Sequence, residues 1–265
     1  MDRRTVTLLG ATLITVLAVG FVVAQPRPAP SPFTGMPAPA SGAPATEPSV
    51  PPSMATADVY GLFAAPGAAR IVGEPAVVSV MQAGDLVLPS GRVIAADVYF
   101  FGAEPLTRVV PAGRHPVSVL EADIGPGRDR RIAAAMVRFD DGDPVSWELA
   151  VVPGQDISTL RPDEFFGYGV DSGTGCFASA EAATVLADPA RFDAYAEEVQ
   201  RRMFPTPEEA RPTVDVVVDP DSGANVVGFA SGFGDGLYPS WFGLDAAGEP
   251  LVLLTDFRLL DAPAS

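Results

Sequence analysis

From about residue 76 onward, β-branched and aromatic residues come in short runs separated by Gly, Pro and Asp. Residues 76–81 alternate as a strand would. Runs at 86–88 and 92–95 flank the Pro-Ser-Gly turn signal at 89–91, and Asp97 closes that unit. Runs at 107–110 and 117–120 flank Pro-Ala-Gly at 111–113. Runs at 131–139 and 145–152 flank Asp-Asp-Gly-Asp at 140–143, which predicts a hairpin whose second strand is trimmed by Pro144. Runs at 214–218 and 225–230 around Asp-Pro-Asp-Ser-Gly predict another hairpin, and runs at 241–244 and 251–257 flank Asp-Ala-Ala-Gly. Helical periodicity is confined to the middle of the chain. Residues 179–187 are rich in Ala and Glu. Asp188 then caps a segment with Pro189 at its first position. On that segment Phe192, Tyr195, Ala196, Val199 and Met203 form a core stripe, while Glu197, Glu198, Arg201 and Arg202 form a solvated face. The pattern predicts an α+β fold, mostly antiparallel β (a sandwich or open barrel), with one or two helices between residues 178 and 204.

Ahead of this pattern the chain changes character twice. Arg3 and Arg4 precede a 19-residue uncharged, largely apolar run at 6–24. A secretory signal has an apolar region of about 7 to 15 residues, and a spanning helix needs roughly 20. The length places residues 1–24 closer to an uncleaved, N-in single-pass anchor than to a signal peptide cleaved near Ala24. On either reading the remainder is extracytoplasmic, because the arginines stay inside. Residues 25–56 contain ten Pro among 32 positions and no periodic apolar face, the composition of a disordered linker. Residues 57–265 then suit a single globular β-rich domain.

Charge narrows the partners. All 17 basic residues of the chain are Arg, three of them before residue 57, and two of its 33 acidic residues also lie there. The domain therefore carries 14 Arg against 31 acids, a surface that repels nucleic acid and anionic lipid. Membrane contact is expected through the N-terminal segment only. One Cys rules out an internal disulfide, and one His removes most zinc sites.

Two short windows concentrate what chemistry there is. Gly167-Tyr-Gly-Val-Asp-Ser-Gly-Thr-Gly-Cys-Phe177 and the stretch at 228–243 hold nine of the 26 glycines, interleaved with aromatics, aspartates and the only cysteine. Glycine at this density marks places where the backbone needs positive φ or very close approach. Four readings compete. Cys176, between a Gly-rich turn and an Ala-rich segment, is a candidate nucleophile for a cysteine-dependent hydrolase or transferase. It would work with His115 as base and Asp171 or Asp235 as orienter. The plainer alternative is a small buried hydrophobe beside Phe177. Successive N–H groups of the same turn could cradle an anion, although no Walker spacing or GxGxxG opening supports a nucleotide. Asp171, Asp235 and Asp256 could gather calcium in a calcium-stabilised structural domain, against the simpler role of capping local backbone. Finally, Tyr168, Asp171, Thr174, Phe233, Asp235, Tyr238 and Trp241 could form one binding surface for an unknown protein or small ligand. The last reading leads, so the expectation is a non-enzymatic binding or interaction module, with no cofactor apart from the calcium alternative.

The same stretches carry a resemblance. Leu88-Pro-Ser-Gly-Arg-Val-Ile-Ala-Ala-Asp97, Val110-Pro-Ala-Gly-Arg-His-Pro-Val117, Trp147-Glu-Leu-Ala150, the two glycine windows and Thr255-Asp-Phe257 together resemble the bacterial domain of unknown function 4241 family, over about residues 86–260. The resemblance implies no activity, cofactor or partner. It places a tyrosine where this chain has His115, which makes His115 a poor choice for an essential base.

Overall fold

The computed structural model describes residues 54–262, apart from 101, 126–128, 163 and 207–208. The apolar run and nearly all of the Pro-rich segment lie outside the described residues. Among the described residues no helix is long and apolar enough to cross a membrane. The elements follow in the order α1 (Thr56–Ala64), β1 (Ala68–Ile71), β2 (Glu74–Leu88), β3 (Val93–Asp97), β4 (Gly113–Ile124), β5 (Asp129–Arg138), β6 (Ser146–Leu149), β7 (Tyr168–Val170), β8 (Thr174–Ser179), α2 (Ala180–Leu186), α3 (Pro189–Met203), β9 (Thr213–Val217), β10 (Asn225–Ala230), β11 (Gly236–Tyr238), β12 (Ser240–Leu244) and β13 (Pro250–Asp256). The α+β, mostly antiparallel architecture that the apolar pattern predicts is the one observed.

Seven strands form a curled antiparallel sheet in the order β1-β2-β4-β5-β13-β12-β6, four form a second in the order β3-β8-β10-β9, and β11 pairs with β7 alone. Side-chain alternation in the second sheet builds two cores. Val93, Phe177, Val227 and Phe229 face the seven-stranded sheet and join Val117, Val119, Val137 and Leu253 there. Ile94, Ala96, Cys176, Ala178 and Val226 face the other way, onto Ala182, Leu186, Tyr195, Val199 and Met203 of α2 and α3. The layers are therefore sheet, sheet, helices. The Phe177 and Phe229 rings meet edge-on at 5.0 Å, a geometry that adds roughly 1 kcal/mol beyond their buried area. Asp188 caps α3 by accepting the Arg191 N–H, with Pro189 in the first turn, as the sequence implied.

Three expectations are corrected. Residues 107–110 are not a strand. The Thr107 N–H goes to the Val151 carbonyl and the Val110 N–H to the Gly91 carbonyl, so the segment ties loops together. The Asp-rich turn at 140–143 does not close a hairpin, because β5 pairs with β13 and β6 pairs with β12. The β12–β13 hairpin is inserted between them. The turn at 89–91 likewise passes the chain from one sheet to the other. A turn signal reports a reversal of direction; long-range packing decides which strand takes the neighbouring place. α1 and β1 were not foreseen. α1 lays Tyr60 and Phe63 on Met136, Leu251 and Val252, and Tyr60 donates to Asp143 at 2.9 Å.

Two polar joints hold the layers. At the free edge of β2, Asn225 accepts the Val87 N–H at 2.8 Å and donates to the Asp85 carbonyl at 2.8 Å and to Asp215 at 2.6 Å. The two ends of the domain are also joined. The Met54 N–H donates to the Leu260 carbonyl at 2.8 Å, Leu260 bridges Ile71, and the Asp261 carboxylate accepts the Val72 and Gly73 N–H groups at 3.1 and 2.7 Å.

Candidate functional site

The two glycine windows come together. β7 and β11 pair through Gly236 with Val170, Leu237 with Gly169 and Tyr238 with Tyr168. A Cβ at Gly167 would stand 2.5 Å from the Tyr238 carbonyl oxygen, so only glycine lets the windows meet at that point. The Asp235 carboxylate then accepts the Gly173 N–H at 3.0 Å. Their side chains, however, do not share one exterior face. Thr174 and Tyr238 are buried, and the Tyr238 ring meets Phe257 edge-on at 5.0 Å. Tyr168 and Trp241 are half-buried, with Trp241 beside Leu149, Phe165 and Phe166. The Tyr168 hydroxyl lies 2.8 Å from where a Gly175 Cβ would stand, and it is buried. Burial raises its pKa. Asp171, Phe233 and Asp235 are exposed, with the Arg131 guanidinium 5.5 Å from the Phe233 ring centre.

The thiol constellation does not assemble. Cys176 is fully buried on the helix-facing side of β8, where its Sγ lies 3.6 Å from the Asp97 carbonyl. It sits inside a strand, and the residue at the α2 N-terminus is Ser179, so no helix end favours the thiolate. Burial, with the Asp97 carboxylate, instead pushes the thiol pKa up. His115 belongs to the other sheet; its Nε2 is 2.8 Å from the Pro111 carbonyl and its ring meets Phe139 edge-on. The four-stranded sheet stands between the two side chains. Cys176 should therefore ignore a maleimide in the native protein and react only after denaturation; rapid labelling of the folded chain would overturn this assignment.

The calcium candidates do not converge either. Asp256 is buried on β13 and accepts the Arg258 N–H at 2.7 Å. Asp235 is engaged with Gly173. Among the described residues no group of three or more His, Cys, Asp or Glu is placed to hold a metal ion. The possible anion cradle of the Gly-rich turn is filled from within. The Asp97 carboxylate accepts the Asp171 and Ser172 N–H groups at 2.9 Å each, the Ser172 hydroxyl at 2.9 Å and the Tyr99 N–H at 2.8 Å.

Asp97 is the residue that sequence reasoning passed over. By holding the first window to the loop after β3, it shapes a cleft of about 880 Å³ between β3, residues 99–100, residues 102–104, residues 152–159 and residues 166–172. Asp97, Glu104, Asp156 and Asp171 line it, along with the aromatic residues Tyr99, Phe100, Phe166 and Tyr168, and among the described residues no Arg or His does. Tyr99 registers that environment: burial and the Asp97 carboxylate raise its hydroxyl pKa. The Tyr99-Phe100 pair just after a strand end was the available signal in the sequence.

A family model described as a protein of unknown function (DUF4241) matches residues 86–255. No curated protein and no solved structure matches the chain.

Proposed function

The chain belongs to the DUF4241 family, a family of unknown function, and from that premise we propose a non-enzymatic binding module whose ligand seat is the cleft beside β3. One observation carries the reading. A concavity next to the first glycine window is held open by a fully engaged carboxylate, while the chain's one thiol and one imidazole lie in different layers. A cleft of this volume, with rings on its walls and a few placed polar groups, is suited to a small ligand or a chain segment. The second window acts from behind, through β11 and Asp235, to fix the wall that touches the ligand. The acidic surface disfavours nucleic acid. The run at 6–24 would place the domain outside the cytoplasm, held at the membrane by its Pro-rich spacer.

Gly169 offers a clean test. It lines the cleft and a Cβ there would meet nothing within 4 Å, so a bulky side chain fills the cleft without disturbing the fold. Small fragments should shift the amide resonances of residues 167–172 in the parent chain and fail to do so in Gly169→Trp, whose thermal midpoint stays within about 2 °C. Fragments that bind both proteins alike would discard the cleft.

A further inference from the structure

β3 is an edge strand, and its pairing determines which of its backbone groups are free. Ile94 and Ala96 face Ala178 and Cys176 across the ladder. The flanking bonds, from the Ala180 N–H to the Arg92 carbonyl and from the Val98 N–H to the Thr174 carbonyl, show that the even-numbered residues point at β8. The odd-numbered residues Val93, Ala95 and Asp97 therefore turn their peptide groups outward. The Val93 carbonyl receives the Leu106 N–H and the Asp97 carbonyl receives the Phe100 N–H. The Ala95 carbonyl and the Asp97 N–H remain as an adjacent acceptor and donor to which no strand is paired. Both residues line the cleft. Such a pair is one half of a parallel bridge, and a single residue of an incoming extended chain completes it with its own N–H and carbonyl.

Charge states what that incoming residue carries. Glu104, Asp156 and Asp171 are exposed around the same cleft, and among the described residues no cationic side chain lines it. The carboxylates do not converge as metal ligands. They instead set a negative field over a cavity lined in part by aromatic residues, an environment that attracts an organic cation such as a guanidinium. We propose that the cleft takes an extended peptide segment bearing an arginine or lysine, which adds one bridge to the edge of β3 and places its cation among Glu104, Asp156 and Asp171. This inference rests on the binding reading above and names its ligand class.

The test uses the full chain, titrated with the capped pentapeptide acetyl-Ala-Ala-Arg-Ala-Ala-amide and followed by the amide resonances of Asp97 and residues 167–172. The Arg peptide should shift these resonances and bind about tenfold more tightly than its Gln counterpart. Added salt and the double change Glu104→Gln with Asp171→Asn should each remove that advantage. Agmatine, which has the cation but no peptide backbone, should leave the Asp97 amide unmoved. Equal binding of the Arg and Gln peptides would overturn the charge assignment, and an agmatine response matching the peptide's would overturn strand addition. In both cases the cleft would survive as a binding site. Loss of every peptide and fragment response in the parent chain would sink the binding reading as well.

Discussion

Replacing Asn225 with alanine should destabilise the domain by about 3 to 5 kcal/mol, measured as the loss in urea unfolding free energy. The side chain is 2 % exposed, and its amide completes the edge of β2 as a neighbouring strand would. β1 pairs only with residues 74–77 of β2. Further along, the Val87 N–H and the Asp85 carbonyl face the second sheet, and Asn225 supplies an acceptor to one and a donor to the other. Alanine strands both groups and leaves Asp215 without its 2.6 Å donor. Each buried group left unpaired costs about 1 to 3 kcal/mol. Asn225→Asp is no rescue, because a carboxylate at this position meets that of Asp215. By contrast Val217→Ala, at a side chain 56 % exposed on the edge strand β9, should change stability by less than about 0.5 kcal/mol. Equal effects at the two sites would mean that the sheets are held by apolar contact alone.

Asp256→Asn should stabilise the protein at pH 7.5, by about 3 kcal/mol at most, and should leave it unchanged near pH 4. Asp256 is 6 % exposed. Burial raises its pKa from 3.8 to about 6, partly offset by the Arg258 N–H and guanidinium. The sign follows from proton counting. Between these two values the folded chain holds a proton that the unfolded chain has released, so the contribution of Asp256 is complete below pH 4 and is lost as the pH rises through 6. Asparagine keeps an oxygen for the Arg258 N–H and carries no charge at any pH, so the difference between the two proteins isolates this one group. Asp156, Glu198 and Asp219, whose pKa values are lowered by their hydrogen bonds, run the other way in both proteins and cancel. A gain that is flat across pH 4 to 8 would mean that charge is not what is removed.

Local signals were legible and long-range ones were not. The β9–β10 hairpin and the cap of α3 follow from residues within a few positions of one another, so turn and cap chemistry sufficed. β8 hid inside the first glycine window. Buried on both faces, it shows no alternation, and its Gly175 is required by the Tyr168 hydroxyl, a contact the sequence does not announce. The candidate site divides in the same way. Tyr168 and Asp171 stood out beside glycines. Asp97 read as an ordinary strand-ending acid, and Glu104 and Asp156 sit in loops more than fifty positions apart whose convergence depends on packing. The alternative His–Cys pairing could not be weighed from sequence for the related reason that residue type says nothing about which layer a strand joins.

The join between Met54 and Leu260 has a mechanical consequence. A pull on Met54 meets a buckle made of that bond, the Ile71–Leu260 bridge and the Asp261 carboxylate. The buckle joins residues 54, 71–73 and 260–261, none of which lines the cleft. A pull applied at Met54 is thus shared with the far end of the domain at a place apart from the cleft.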